Sequence, residues 1–479
     1  MALVVNILQA VPAAGKTKAI LGYVKSSKKP TIIASISCQL SQQSYDYYVG
    51  LGGNDAVVVD SDHVSRSSSV TEAIAECVGK HRVIFITHAA LIRFPNYEDL
   101  EGHELFVDEV PDLVQLNQMK FTDYMGLLGQ YCDMSNGTMV LLDEHRDAVE
   151  KIARDGLAGL DVVSTSLFEL ARSLLQGIPV LTKDDTVYFI DDNTTQKWTA
   201  FSKITIACAN FYETFTGTIL KEFCGWKFRN SELTKKLDFI HYPNTARVEI
   251  VPMFGGIWSR YSADKEIGGE SVYNKVKASV YDITGMTPFI YTTNSYRGAL
   301  KQGQRVAYNP HGLNNYMSHT TAVSLFSYNP TPWQIDLLKS LSQSRSMDQD
   351  KLMQSYIVSK YLEPTFQLCL RTDIRNQYSN WKVRLIVPDL RAAEYLKSRY
   401  LHEAIIDMDH MIEPPERKVR AAETAPRQKK KSFKNLFNFT DVELRKFYRY
   451  VKKENKKLDP LDPRDFMIVK SWIDSVRSL

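Results

Sequence analysis

Seven short runs in the first half of the chain are apolar from end to end: LVVNILQAV (3–11), PTIIASI (30–36), AVVVD (56–60), RVIFITH (82–88), ELFVDE (104–109), TMVLLD (138–143) and KITIACA (203–209). A strand with one wet face alternates apolar and polar residues. A strand apolar throughout must be covered on both faces, the situation of a parallel sheet sandwiched by helices. Helix-length segments separate the runs, so a doubly wound α/β sheet is expected. A second series follows: RVEIVPM (247–253), TPFIYTT (287–293), RVAYN (305–309), AVSLFSYN (322–329) and VRLIVPD (383–389). The pattern predicts two α/β units in tandem, 1–245 and 246–412.

Residues 114–203 are less regular and are expected to be an insertion in the first unit. They contain a helix around SLFELARSLL (166–175) and a polar turn, KDDTVYFIDDNTTQ (183–196). Residues 413–435 are polar, basic and proline-containing, the composition of a linker. A small α-helical C-terminal domain is expected over 436–479. There Thr440 and Glu443 form a capping box, and Ile468, Trp472 and Val476 share a helix face.

Charge is unevenly placed. Residues 417–457 carry 15 Lys and Arg against 4 Asp and Glu, in a chain of net charge +4. A basic segment on a mildly acidic body suits a polyanionic partner. No apolar run approaches the roughly 18 residues of a membrane span. The N-terminus has no signal-peptide pattern, so a membrane partner is not expected and a cytoplasmic location is. The six cysteines (Cys38, Cys77, Cys132, Cys208, Cys224, Cys369) show no CxxC spacing, which argues against cysteine-rich zinc or iron–sulfur sites.

The chemistry begins where the first apolar run ends. Gly15-Lys16-Thr17 follows a strand and precedes a helix, the context of a phosphate-binding loop. Backbone N–H groups and the helix N-terminus would face an anion, Lys16 would reach the β- and γ-phosphates, and the Thr17 hydroxyl would ligate Mg²⁺. Well downstream, in LFVDEVPD, Asp108 and Glu109 end another buried run. Carboxylates there lie where open α/β sheets bind ligands. Asp108 would hold Mg²⁺ and Glu109 would polarise the attacking water. In the second unit, Gln367, Arg371 and Arg375 lie in a helix-like stretch, with Gln367 and Arg371 four apart on one face. An arginine delivered across a cleft would stabilise charge on a transferred phosphoryl group.

As a set these segments resemble the motifs of superfamily 2 helicases and translocases, with an overall look similar to phage- and virus-type members. Ala10-Val-Pro-Ala13-Ala14-Gly15-Lys16-Thr17 is similar to the first motif, and Asp108-Glu109-Val-Pro111 to the first half of a DEAD- or DEAH-type box. Gln367, Arg371 and Arg375 are similar to the last motif, and either arginine can be the finger. The resemblance implies two RecA-like domains that bind ATP and Mg²⁺ between them, with Ala13, Ala14, Gly15, Lys16, Thr17 and Ala19 lining the nucleotide. It also implies nucleic-acid contacts at Ser35 and Gln39, Thr87 and His88, Thr293 and Asn294, and Gly312 and Asn314. Ala207-Cys-Ala-Asn210 stands where the coupling motif is expected. Three departures stand out: Pro111 replaces the usual acidic or histidine residue, the second arginine is eight rather than seven after Gln367, and Ala13 replaces glycine. Because alanine resists φ > 0, Ala13 is expected at negative φ.

The expected function is an ATP-dependent motor on nucleic acid, with DNA, single-stranded or forked, favoured. Replication or recombination proteins are the expected protein partners, and a monomer fits. Two alternatives are a phage-type DNA-packaging ATPase and an ATP-switched remodelling or annealing factor that does not unwind.

Overall fold

The computed structural model describes residues 3–64, 69–120, 123–193, 196–308, 316–414, 441–453 and 463–477. The first sheet opens with β1 (Val4–Gln9), β2 (Thr31–Ser35), β3 (Ala56–Val58), β4 (Val83–Thr87) and β5 (Glu104–Asp108). The chain then leaves this sheet through β6 (Val114–Lys120), the short pair β7 (Cys132–Asp133) and β8 (Val140–Leu141), β9 (Leu181–Lys183) and β10 (Thr186–Asp192). It returns with β11 (Lys203–Cys208) and β12 (Lys227–Asn230). The order is β12-β1-β11-β5-β2-β4-β3, and every pairing is parallel.

The double-sided apolar pattern has a direct explanation in packing. On β5, Leu105 and Val107 join one core layer with Ile7, Ile32, Ile84 and Ile204. Phe106 points the other way, into a layer with Leu8, Ile33 and Phe85 under Ile20, Leu21 and Val24 of the helix Lys16–Ser26. Each such side chain contributes about 1.5–3 kcal/mol by burial, and both faces of the strand are used.

The second sheet comprises β13 (Val248–Pro252), then, after the hairpin β14 (Glu266–Ile267) and β15 (Glu270–Ser271), β16 (Phe289–Thr293), β17 (Gly303–Arg305), β18 (Thr321–Leu325), β19 (Val383–Val387) and β20 (Ile405–Ile406). Its order, β17-β16-β18-β19-β13-β20, is again wholly parallel. These are two tandem, wholly parallel α/β sheets. In the first, one strand (β11) separates β1, which leads into Gly15-Lys16-Thr17, from β5, which ends in Asp108. Register pairs Leu8 and Gln9 with Ala207 and Cys208, and Ala207 with Asp108. The loop after β1 and the carboxylates at the end of β5 therefore emerge level, at the C-terminal ends of the strands.

Several expectations are corrected. TMVLLD does not enter the first sheet; Val140–Leu141 pairs antiparallel with Cys132–Asp133, Thr138 bridges to Leu181, and Val140 is largely exposed. The segment read as a polar turn holds β10, a strand with mostly buried side chains at the centre of an antiparallel sheet β6-β10-β9. RVAYN supplies only Arg305, the last residue of the edge strand β17.

Beyond Pro414, the described residues 441–453 and 463–477 belong to a separate unit. Its helices Asp441–Lys453 and Pro463–Arg477 meet at Phe447, Val469 and Ile473, with Trp472 against Phe447. The buried stripe thus centres one residue beyond Ile468 and Trp472. The linker through residue 435 and the capping Thr440 lie outside the described residues, apart from residues 413 and 414.

Candidate active site

The loop between β1 and the helix Lys16–Ser26 turns left-handed twice. Gly15 caps the helix at φ 85°. Its positive φ requires glycine, and a Cβ there would come within 3.1 Å of Asp238 Oδ2, so that side chain would have to shift slightly. Ala13 sits at φ 67°, contrary to the expected negative value. The surrounding structure over-determines it. Ala14 N–H donates to Val11 O (3.3 Å), Asp238 N–H to Ala14 O (3.1 Å), and the Tyr242 hydroxyl to Pro12 O (3.0 Å). Those contacts hold the left-handed geometry against a cost of roughly 1–2 kcal/mol for an L-residue. Ala13→Gly should therefore stabilise the fold by about 1 kcal/mol, raising a thermal midpoint by about 1–2 °C in a unit this large. An unchanged or lower midpoint in thermal denaturation would contradict the strain.

Lys16 is buried, and its Nζ donates to Ala10 O at 2.8 Å and Val11 O at 3.2 Å. The ammonium is thereby held over the loop. The Thr17 hydroxyl donates to Asp108 Oδ2 at 3.2 Å, joining the helix start to the end of β5. Burial, and then the neighbouring Glu109 carboxylate, push the Asp108 carboxyl up to about 6. Glu109 is left-handed at φ 72°, with its N–H on Ala207 O at 2.7 Å, so the chain turns out of the sheet as the second carboxylate is placed. Ala14 and Ala19 are buried beneath the loop and in the helix.

Across the cleft, Gln367 ends up near the close of the helix Glu363–Cys369. The expectation that Gln367 and Arg371 share a helix face is corrected, since the helix ends at Cys369 and Arg375 lies on a separate turn, Asp373–Arg375. They still converge. Arg371 Nη2 donates to Gln367 Oε1 at 3.5 Å, and Arg375 Nε donates to Leu370 O at 2.5 Å. All three are at least nine-tenths buried. Burial, followed by repulsion from Arg375, lowers Arg371 to about 9, and burial also lowers Arg375. Both remain cationic at neutral pH, in surroundings that an arriving anion would improve. A cleft of about 490 Å³ is lined by Lys16, Thr17, Asp108 and Glu109 from the first sheet and by Gln367, Arg371 and Arg375 from the second.

Sequence reading missed the polar bridge beside this cleft. Asn210, just after β11, donates to Tyr395 Oη at 3.0 Å and to Glu363 Oε1 at 3.5 Å. Glu363 also accepts from the hydroxyls of Tyr395 and Tyr400, each at 2.5 Å. Lys360 reaches Asp112 at 2.6 Å. Nothing local in the sequence marks Glu363, because its character comes from tertiary burial. That burial pushes its carboxyl up to about 7. A raised carboxyl contributes stability that is complete below the ordinary value and is lost as pH rises through about 7. Glu363→Gln should thus gain on the wild type between pH 5 and 8, by about 3 kcal/mol at most. Parallel pH profiles of the two melting midpoints would contradict this.

The expected nucleic-acid residues are placed unevenly. Gln39 is exposed on the helix Cys38–Gly50. Thr87 caps the helix His88–Arg93, its hydroxyl accepting from Ala90 N–H, and His88 is buried. Ser35 and Thr293 are buried at the ends of β2 and β16, so they present no surface to a strand in this conformation. Asn294 is engaged with Ser327, accepting its N–H at 3.0 Å and donating to its carbonyl at 2.9 Å. Gly312 and Asn314 lie outside the described residues. No described helix is long and apolar enough to cross a membrane.

No protein-family model and no curated protein matches the sequence. Among solved structures, the chain is similar to Xpd4 of S. tokodaii, at 13% identity and a TM-score of 0.42, covering 85% of this chain and 96% of that one. It is similar to a DEAD box protein from the hyperthermophile Methanococcus jannaschii, at 8% identity and a TM-score of 0.27, covering 85% and 88%. It is also similar to a point variant of S. cerevisiae dbp5 bound to a gle1 variant and ip6, at 9% identity and a TM-score of 0.33, covering 86% and 85%. These are likenesses of fold, and the chemistry of the cleft rests on the residues of this chain.

Proposed function

We propose that the chain is a superfamily 2-type ATP-dependent helicase or translocase acting on nucleic acid, with DNA favoured. The observation that carries this reading is the convergence of Lys16, Thr17, Asp108 and Glu109 with Gln367, Arg371 and Arg375 on one cleft between two sheets. ATP fits as substrate. Lys16 would exchange its loop carbonyls for the phosphates, the loop N–H groups would line them, and Glu109 would orient the attacking water. Arg371 or Arg375 would meet the charge that develops on the transferred phosphoryl group. The Thr17 hydroxyl and Asp108 carboxylate, already hydrogen-bonded, form a hard oxygen pair suited to Mg²⁺. That ion would supply charge neutralisation at the phosphates.

Because Arg371 and Arg375 come from the second sheet, nucleotide would draw the two sheets together and hydrolysis would release them, stepping the protein along a strand. The test is the ATP hydrolysis rate with single-stranded DNA, duplex, forked DNA and RNA. Stimulation by single-stranded or forked DNA supports the reading, stimulation by RNA alone corrects the substrate, and no stimulation by any of them overturns it.

A further inference from the structure

We propose that Cys38, Asp60 and Asp62 form a binding site for one zinc-class divalent cation. It lies at the rim of the first sheet and is separate from the Thr17–Asp108 pair. Cys38 opens the helix that follows β2, and Asp60 lies just beyond β3. Strand β4 lies between β2 and β3, so the two loops meet above its end. One donor atom from each residue, a thiol sulfur and two carboxylate oxygens, falls within 4.8 Å of the others. Cys38 Sγ is also 3.6 Å from Ser61 Oγ, which fixes the approach of the loops.

The second observation is Asp60 itself. Its side chain is buried, and Oδ2 has no hydrogen-bond partner. Oδ1 accepts from Asp62 N–H at 3.0 Å and lies 2.7 Å from His63 Nδ1. A buried carboxylate oxygen without a donor is costly, and a cation beside it removes the cost. The His63 contact orients the carboxylate as outer-shell partners of metal ligands do. One soft sulfur with two oxygens selects a borderline ion such as Zn²⁺ over Mg²⁺ or Ca²⁺. Solvent can complete the shell, because Asp62 and His63 are exposed. On binding, Cys38 forms a sulfur–metal bond and its thiol proton passes to solvent, so affinity falls in acid. Absence of CxxC spacing argues only against cysteine-rich sites, and this mixed donor set escapes that argument.

The ion would clip the start of the Cys38–Gly50 helix, which carries Gln39, to the loop after β3. The test uses the full chain stripped with a chelator and titrated with Zn²⁺ against a chromophoric competitor. Co²⁺ serves as the spectroscopic probe. The expected result is one equivalent bound, with a thiolate–cobalt charge-transfer band. Cys38→Ser should abolish the band, and Asp62→Asn, at an exposed position, should weaken binding about tenfold or more. Melting of both variants in chelator should match the wild type, which separates lost binding from lost folding. No band in the wild type, or the same band in Cys38→Ser, overturns the proposal. Neither outcome bears on hydrolysis at Lys16.

Discussion

Lys16→Ala is expected to lower nucleic-acid-stimulated ATP hydrolysis by roughly 10³-fold, about 4 kcal/mol of transition-state stabilisation. Its affinity for nucleic acid without nucleotide should hardly change. The ammonium is held over the loop after β1 by two carbonyls at 2.8 and 3.2 Å. Its removal takes away the charge meant for the phosphates, while the loop keeps its bonds to Asp238 and Tyr242. Steady-state hydrolysis and fluorescence anisotropy on a labelled oligonucleotide separate the two effects. Undiminished hydrolysis sinks the assignment of the loop. Equal loss of both activities would place Lys16 in folding rather than catalysis.

The second large effect concerns Arg371 and Arg375. The one that acts as the finger should cost roughly 10³–10⁵-fold in kcat when changed to alanine, with little change in the KM for ATP. The other should cost far less. Lysine should not rescue the finger, because an ammonium cannot reproduce the planar fork of a guanidinium. Both side chains line the same cleft as Lys16, so either would be available to a nucleotide bound there. Single-turnover hydrolysis distinguishes the chemical step from binding. If neither alanine variant slows that step by more than about tenfold, the cleft does not work by an arginine finger.

How much of this was legible in the sequence depended on where each residue's character originates. Strand β5 was readable because Leu105, Phe106 and Val107 fill cores on both faces, and that demand appears in composition. Strand β12 was not, because Lys227–Asn230 is an edge strand with mostly exposed side chains. Strand β10 was hidden by the acidic residues that bracket it, since Asp191 and Asp192 are buried within a strand whose turn is marked by Asp184 and Asp185. The cleft residues were readable from spacing and residue type. What spacing could not supply was conformation, as Ala13 shows. Its left-handed geometry is enforced by Tyr242 and Asp238, far away in sequence. Glu363 was invisible for the same reason, because only tertiary burial raises its carboxyl, against the hydrogen bonds from Tyr395, Tyr400 and Asn210 that favour the charged form.

The central claim is that the cleft between the two sheets hydrolyses Mg·ATP with Glu109 orienting the water. The most direct measurement compares wild type and Glu109→Gln for binding of a fluorescent ATP analogue and for hydrolysis of ATP with single-stranded DNA present. The account predicts analogue binding within about threefold of wild type and hydrolysis reduced by at least ~100-fold. Hydrolysis by Glu109→Gln at the wild-type rate, or no nucleotide binding by the wild type, would contradict it.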